Sequence, residues 1–234
     1  PRDFELAGVE SVPLLGGGIV PIVTVRIDDG PPLRFVLDTG GQNVITPAAA
    51  RRSGLTIVGE GTVGGAGPAL AKTRFAAARS VRVGRANLRN QPFVVLELPG
   101  GAVDGIVGYE LLARFAARVD MAQQRLQLAL DGAALVPSGA AVAMVYDDRQ
   151  PQVDGAIDGI AGALTIDTGS ASAVDVNTPF VLAHNLRTKY HAEASGYPIT
   201  GVGGAVHAYF AHAAEVRIGD LLVPDVNLLP TDAQ

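Results

Sequence analysis

Cysteine and tryptophan are both missing from this 234-residue chain. Without cysteine there is no disulfide framework and no thiolate metal site; that absence by itself assigns no compartment. Lysine is nearly missing too, with Lys72 and Lys189 the only two. The basic residues are scattered and the net charge is −5, which argues against a nucleic-acid surface. No apolar run approaches the roughly 20 residues that a membrane-spanning helix needs. Aromatic residues make up only 5% of the chain, so its core has to be built from Val, Leu, Ile and Ala.

What is present points to a globular β protein. Hydrophobic residues are 48% and charged residues 18%, a balance that buries a core. Twenty-nine glycines and 15 prolines suit many sharp turns between short strands. The length fits one large all-β domain or two small lobes.

The chain contains an internal repeat. Ile19 to Asp38 reads as two strands around the turn Asp28-Asp29-Gly30, ending in Asp38-Thr39-Gly40-Gly41. Val153 to Ile157, Asp158-Gly159 and Ala163 to Ile166 repeat the pattern and end in Asp167-Thr168-Gly169-Ser170. Thr-Pro follows each motif, at Thr46-Pro47 and Thr178-Pro179. A Thr cap with Pro in the first turn predicts short helices over Pro47 to Ser53 and Pro179 to His184. Gly54 and Asn185, the residues that best tolerate a left-handed ending, come next. Glycine-rich hairpin tips then recur at Val63-Gly64-Gly65 and Val202-Gly203-Gly204. Strands ending Val81-Arg82-Val83-Gly84 and Val216-Arg217-Ile218-Gly219 precede proline-led apolar strands, Pro92 to Leu96 and Pro224 to Leu229. Such a duplication decides the fold ahead of any single motif. It divides the chain into residues 1–134 and 135–234, with the boundary in the Asp, Gly, Pro and Ser cluster at Asp131 to Ser138.

One Asp-Thr-Gly is weak evidence, since chance supplies one in roughly one protein in twenty of this size. Two copies, each behind an apolar strand and at matched spacing from a turn, are strong evidence. With Phe35-Val36-Leu37 before the first copy and Ile106-Val107-Gly108-Tyr109-Glu110-Leu111-Leu112 downstream, the chain resembles the pepsin-like and retropepsin-like aspartic peptidases, particularly bacterial single-chain forms with two retropepsin-like lobes. The resemblance implies an all-β fold of two pseudo-twofold lobes of closed-barrel type, with a few short helices and a cleft between the lobes. It implies hydrolysis of peptide bonds by Asp38 and Asp167, without metal or other cofactor. Thr39 and Thr168 would hydrogen-bond across the lobes. Gly40 and Gly169 would bring backbone N–H groups to the carboxylates, and Ile106, Val107 and Gly108 would brace the first loop. Ser170 would offer a hydroxyl near its carboxylate, whereas Gly41 offers none, so a pH optimum less acidic than a digestive pepsin's is expected. The two glycine-rich tips would close over substrate as flaps.

Two like charges at one site cannot both ionise, so such a pair holds one proton between pH extremes. Its titrations belong to the pair. The expected partner is a peptide or protein substrate and the expected state a monomer. The chain begins at Pro1 rather than Met, from which a removed upstream segment and a periplasmic or secreted location are expected. The second half reaches Gln234 without a counterpart of Ile106 to Gly108, so continuation of the natural chain is expected. The alternative is a non-catalytic peptide-binding or inhibitor module on the same scaffold. The four histidines, His184, His191, His207 and His212, show no metal-binding spacing. Asp147-Asp148-Arg149 reads as a solvated turn.

Overall fold

A computed structural model describes residues 2–16, 18–65, 67, 69–98, 100–136, 139–192, 196–201 and 204–232, with backbone alone at 197, 200 and 201. The first half contains strands β1 (Phe4–Glu5), β2 (Glu10–Pro13), β3 (Ile22–Ile27), β4 (Pro32–Leu37) and β5 (Val44–Ile45), then helix α1 (Pro47–Arg52). Strands β6 (Thr56–Val63), β7 (Ala71–Val83), β8 (Ala86–Val95) and β9 (Gly105–Val107) follow, then helix α2 (Tyr109–Leu112), β10 (Ala116–Asp120) and β11 (Arg125–Ala129). A 3-10 turn at Gly132–Ala134 leads into the second half. That half contains β12 (Met144–Asp147), β13 (Gln150–Ile157), β14 (Ile160–Thr165) and β15 (Val174–Val176). Helices α3 (Thr178–Ala183) and α4 (Leu186–Lys189) come next, then β16 (Tyr197–Gly201), β17 (Gly204–Ala208), β18 (Ala211–Ile218) and β19 (Leu221–Asp232).

In the first half the order β8-β5-β9-β4-β3-β7 closes on itself through β7–β8 pairing. A closed sheet has no free edge inside the ring, and its inward side chains fill it. Alternation supplies those side chains: Val23, Val25 and Ile27 of β3 are fully buried, while Thr24 and Arg26 face out. Phe35 and Phe93 meet edge-on at the centre, 6.3 Å apart. The second half is a curled sheet, β12-β13-β18-β19-β17-β16, with β14 on β13 and β15 on β19. It has its own smaller core around Ile157, Val181, Leu186, Val216 and Leu228. The fold is mostly β and has the two-lobe acid-protease architecture, one lobe a closed barrel and the other a half-barrel.

The repeat is written in the backbone as well as the sequence. Left-handed residues occur in matched pairs: Asp28 and Asp158, Gly54 and Asn185, Gly84 and Gly219, Asn90 and Asp225. Asn and Asp tolerate that region better than other side chains.

Two expectations need correction. The second helix is capped by Asn177, whose side chain accepts from Phe180 N at 3.1 Å, so the helix begins at Thr178, one residue early. Asn is the better cap, and the Thr178 hydroxyl instead donates to the Thr231 carbonyl at 2.9 Å. The first cap is Thr46, as expected. The proline-led strands are also longer than expected. Pro92 and Pro224 lie inside β8 and β19, opposite Ala77 and Glu215, and the left-handed residues Asn90 and Asp225 lie just beside them.

Candidate active site

Strand β4 ends at Leu37 and delivers Asp38; β14 ends at Thr165 and delivers Asp167 two residues later. The loops that follow meet each other. Thr39 N donates to Thr168 Oγ1 at 3.1 Å, and Thr168 N donates to Thr39 Oγ1 at 2.9 Å. Each hydroxyl then donates to the carbonyl just before the opposite aspartate. Thr168 Oγ1 reaches Leu37 O at 2.6 Å, and Thr39 Oγ1 reaches Ile166 O. Each threonine hydroxyl therefore accepts one hydrogen bond and donates another, as a part-buried hydroxyl requires.

This reciprocal grip brings the two carboxyls together. The Asp38 carboxyl stands beside that of Asp167, close enough for the neighbouring acid to hold it above the usual carboxylate range. Each carboxyl also accepts from the glycine N–H two residues on, Gly40 N to Asp38 Oδ1 at 2.9 Å and Gly169 N to Asp167 Oδ1 at 2.7 Å. The motif glycines leave room for the opposite acid. A Cβ at Gly40 would stand 2.8 Å from Asp167 Cγ, and one at Gly169 would stand 2.4 Å from Asp38 Cγ. A Cβ at Gly41 would stand 2.6 Å from Asp38 Oδ2. The site therefore excludes side chains at the very positions where the sequence has none.

Burial pushes the Asp38 carboxyl up to about 7, and the Asp167 carboxyl beside it adds to the rise; the backbone N–H groups of Gly40 and Gly41 oppose it. Desolvation is the largest cause.

The segment Ile106-Val107-Gly108 lies against the first loop. Strand β9 runs parallel to β4, pairing Leu37 with Val107. Asp38 N donates to Val107 O at 3.0 Å, and Tyr109 N donates to Gly41 O at 3.0 Å. Gly108 is seated so closely that a Cβ there would be 2.3 Å from Gly41 O and 2.4 Å from Asp38 O.

Other predicted positions are placed differently. The Ser170 hydroxyl bonds Asp175 Oδ2 at 2.8 Å and Ser172 Oγ at 2.9 Å. It is thus engaged away from Asp167, the carboxylate it was expected to serve. Val63 ends β6, and Gly64 and Gly65 begin the hairpin connection to β7. Gly204 opens β17, pairing with Gly201; Val202 and Gly203 lie outside the described residues. No cluster of three metal-ligating side chains occurs among the described residues. A hollow of about 530 Å³ lined by Asp28, Arg52, Ser53 and Arg79 opens at the β3–β4 turn, the end of β4 remote from Asp38. Its arginines pair with Asp104, Asp28 and Asp29.

Sequence reading missed the tip of the β12–β13 hairpin. Asp148 and Arg149 do form an exposed turn. The same turn also sets Gln150 Nε2 at 3.2 Å from Gly40 O. It places the Tyr146 ring edge-on to Tyr109 at 5.7 Å and Arg149 over the Tyr109 ring at 5.9 Å. Nothing local to residues 146–150 signals this, because the contacts depend on how the lobes meet.

Residues 23–111 match the sequence model of the aspartyl protease family. An aspartic proteinase from Irpex lacteus superimposes with a TM-score of 0.52 at 10% identity, over 95% of this chain and 86% of that one. A retropepsin-like aspartic protease from Rickettsia conorii gives 0.39 at 21% identity, over 55% of this chain and 94% of that one. Basic 7S globulin from soybean gives 0.44 at 8% identity, over 98% and 91%. No curated protein sequence matches this chain. The first lobe thus carries the aspartyl protease family pattern, and the chain as a whole has the fold of a two-lobe acid protease.

Proposed function

We propose that this protein is an aspartic endopeptidase in which Asp38 and Asp167 share one proton and activate a water molecule. The family match and the fold support a peptidase in general. The observation that carries the finer reading is the contact of two carboxyls from different loops, tied by the reciprocal Thr39–Thr168 bonds.

In this reading the ionised partner accepts a proton from water while the protonated partner donates a hydrogen bond to the scissile carbonyl oxygen. Water oxygen bonds to the carbonyl carbon and gives a tetrahedral diol. Return of a proton to the nitrogen breaks the C–N bond and releases the amine. Water and not a side chain is the nucleophile, so no covalent intermediate forms. The substrate is an extended peptide held by main-chain hydrogen bonds, with residues 1–134 and 135–234 as the lobes on either side. The hairpin connection that begins at Gly64 and Gly65 acts as a flap. We place the protein, as a monomer, in the periplasm or outside the cell, which fractionation of the producing cells tests.

The direct test incubates the protein with an unstructured protein substrate from pH 3 to 7, with and without a transition-state peptide inhibitor of aspartic peptidases. Asp38→Asn should lower the rate about a thousandfold, and the inhibitor should stop the wild type. Cleavage that survives both treatments would overturn the proposal and point to a contaminating protease.

A further inference from the structure

The two aspartate loops seat the same N–H in different ways. In each loop the N–H five residues after the aspartate, at Asn43 and at Ser172, needs an acceptor. Ser172 N donates to Ser170 Oγ at 3.2 Å, so the second loop supplies its own acceptor. The matching position in the first loop is Gly41, which has no hydroxyl to offer. Serine could not stand there, because a Cβ at Gly41 would lie 2.6 Å from Asp38 Oδ2. The acceptor comes instead from 67 residues away, where Glu110 Oε2 accepts from Asn43 N at 2.9 Å.

Helix α2 holds that carboxyl in place. Leu111, the next residue, is fully buried in the barrel core. Arg114 Nη1 donates to the Glu110 carbonyl at 3.0 Å. Glu110 is 9% exposed and Asn43 2%, so the pair is shielded from water that could replace either partner. Asn43 closes the loop: its carbonyl accepts from Val94 N at 3.0 Å, and β5 begins at the next residue. The loop is thus tied to the β9–α2 segment at three points, Asp38 N to Val107 O, Gly41 O to Tyr109 N, and Asn43 N to Glu110 Oε2. Only the third tie uses a side chain, so it alone can be removed by a substitution that leaves the backbone groups in place. Between the ties lie Thr39, in the grip with Thr168, and Gly40, whose N–H meets Asp38 Oδ1.

We infer that Glu110 is a positioning residue for the Asp38 loop: its carboxyl seats Asn43 N and fixes the end of the loop that Gly41, lacking a hydroxyl, leaves unsupported. The inference rests on the peptidase reading above only for its effect on rate. A buried N–H left without an acceptor is costly, so truncating Glu110 makes the loop shift to find another partner. A displacement of about 1 Å in reacting groups can lose about a hundredfold in rate. Ser170 is the milder case, because Ser172 is only half-buried and water can serve its N–H.

The test compares the full wild-type chain with Glu110→Gln, which keeps an acceptor oxygen, and Glu110→Ala, which removes it. Glu110→Asp, one carbon shorter, replaces the alanine variant if that chain does not fold. On an unstructured protein substrate, alanine should lower kcat about tenfold with KM nearly unchanged, and glutamine should stay within about threefold of the wild type. Amide hydrogen exchange read by NMR should become about tenfold faster at Gly40 in the alanine variant, relative to the core amides of β3 that report global unfolding. Wild-type kcat in the truncated variant would overturn the inference. So would a glutamine variant as slow as alanine, or exchange that rises equally at Gly40 and in β3, which a merely structural contact gives. If the wild type cleaves nothing, exchange decides: a rise confined to the loop leaves Glu110 in its positioning role and removes the peptidase reading instead, and an equal rise removes the role as well.

Discussion

Asp38 and Asp167 follow strands that are alike in sequence and unlike in surroundings. Strand β4 lies between β3 and β9, whereas β14 pairs with β13 alone among the described residues. Leu37, just before Asp38, is fully buried; Ile166, just before Asp167, is 37% exposed. The first loop is braced by Val107, Gly108 and Tyr109 and held from the second lobe by Gln150. The second loop has the threonine bonds and its own Gly169 N–H. The difference teaches that the grip and the brace are separate devices. The grip is reciprocal, so it serves both acids equally. The brace belongs to the closed barrel, and it buries Asp38 more deeply than Asp167. Desolvation accordingly is the largest cause at Asp38, whose carboxyl is pushed up to about 7.

Removing the brace should have the largest effect. Gly108→Ala forces a methyl into two backbone carbonyls at 2.3 and 2.4 Å; it should destabilise the fold by about 3 kcal/mol, read by urea unfolding, and abolish cleavage with it. A smaller and more direct contrast comes from truncating the paired residues. Leu37→Ala should cost about 3 kcal/mol and Ile166→Ala less than about 1 kcal/mol. Equal costs would mean that the half-barrel shields its loop as well as the barrel does.

The pH dependence of stability follows from the raised Asp38 value. Between its unfolded value of 3.8 and its folded value of about 7, the native state binds a proton that the unfolded chain releases. Stability from this group is therefore greatest below pH 4 and declines as pH rises to 7. Asp38→Asn should remove that decline and melt higher than the wild type at pH 8, by on the order of 1–2 kcal/mol. A variant that melts lower than the wild type at pH 8 would contradict the burial of this charge. The smallest effect belongs to Ser170→Ala. Its hydroxyl bonds Asp175 and Ser172, so kcat should change by less than about threefold. A hundredfold loss would mean that Ser170 turns to Asp167 during the reaction.

Much of this was legible in the chain. The turn signals, the helix caps and the alternating strands gave the mostly β fold and its short helices. These are local features: a turn residue, a cap or a strand period depends on its immediate neighbours, and Asp28, Gly54, Gly84 and their partners in the repeat adopt the left-handed backbone that their residue types favour. The slip of one residue at Asn177 shows the limit of such reading, because two good caps in sequence leave the choice to whatever else Thr178 can bond, here Thr231.

Only the tertiary structure decided which groups meet across more than 100 residues. The reciprocal threonine bonds, the steric demand for glycine opposite each carboxyl and the reach of Gln150 to Gly40 all arise where two separately folded surfaces touch. Side-chain type and spacing along the chain carry no distance across that contact. Burial, and with it the protonation of Asp38, is a property of the assembled lobes, because desolvation depends on every atom that displaces water and not on the residues next in line.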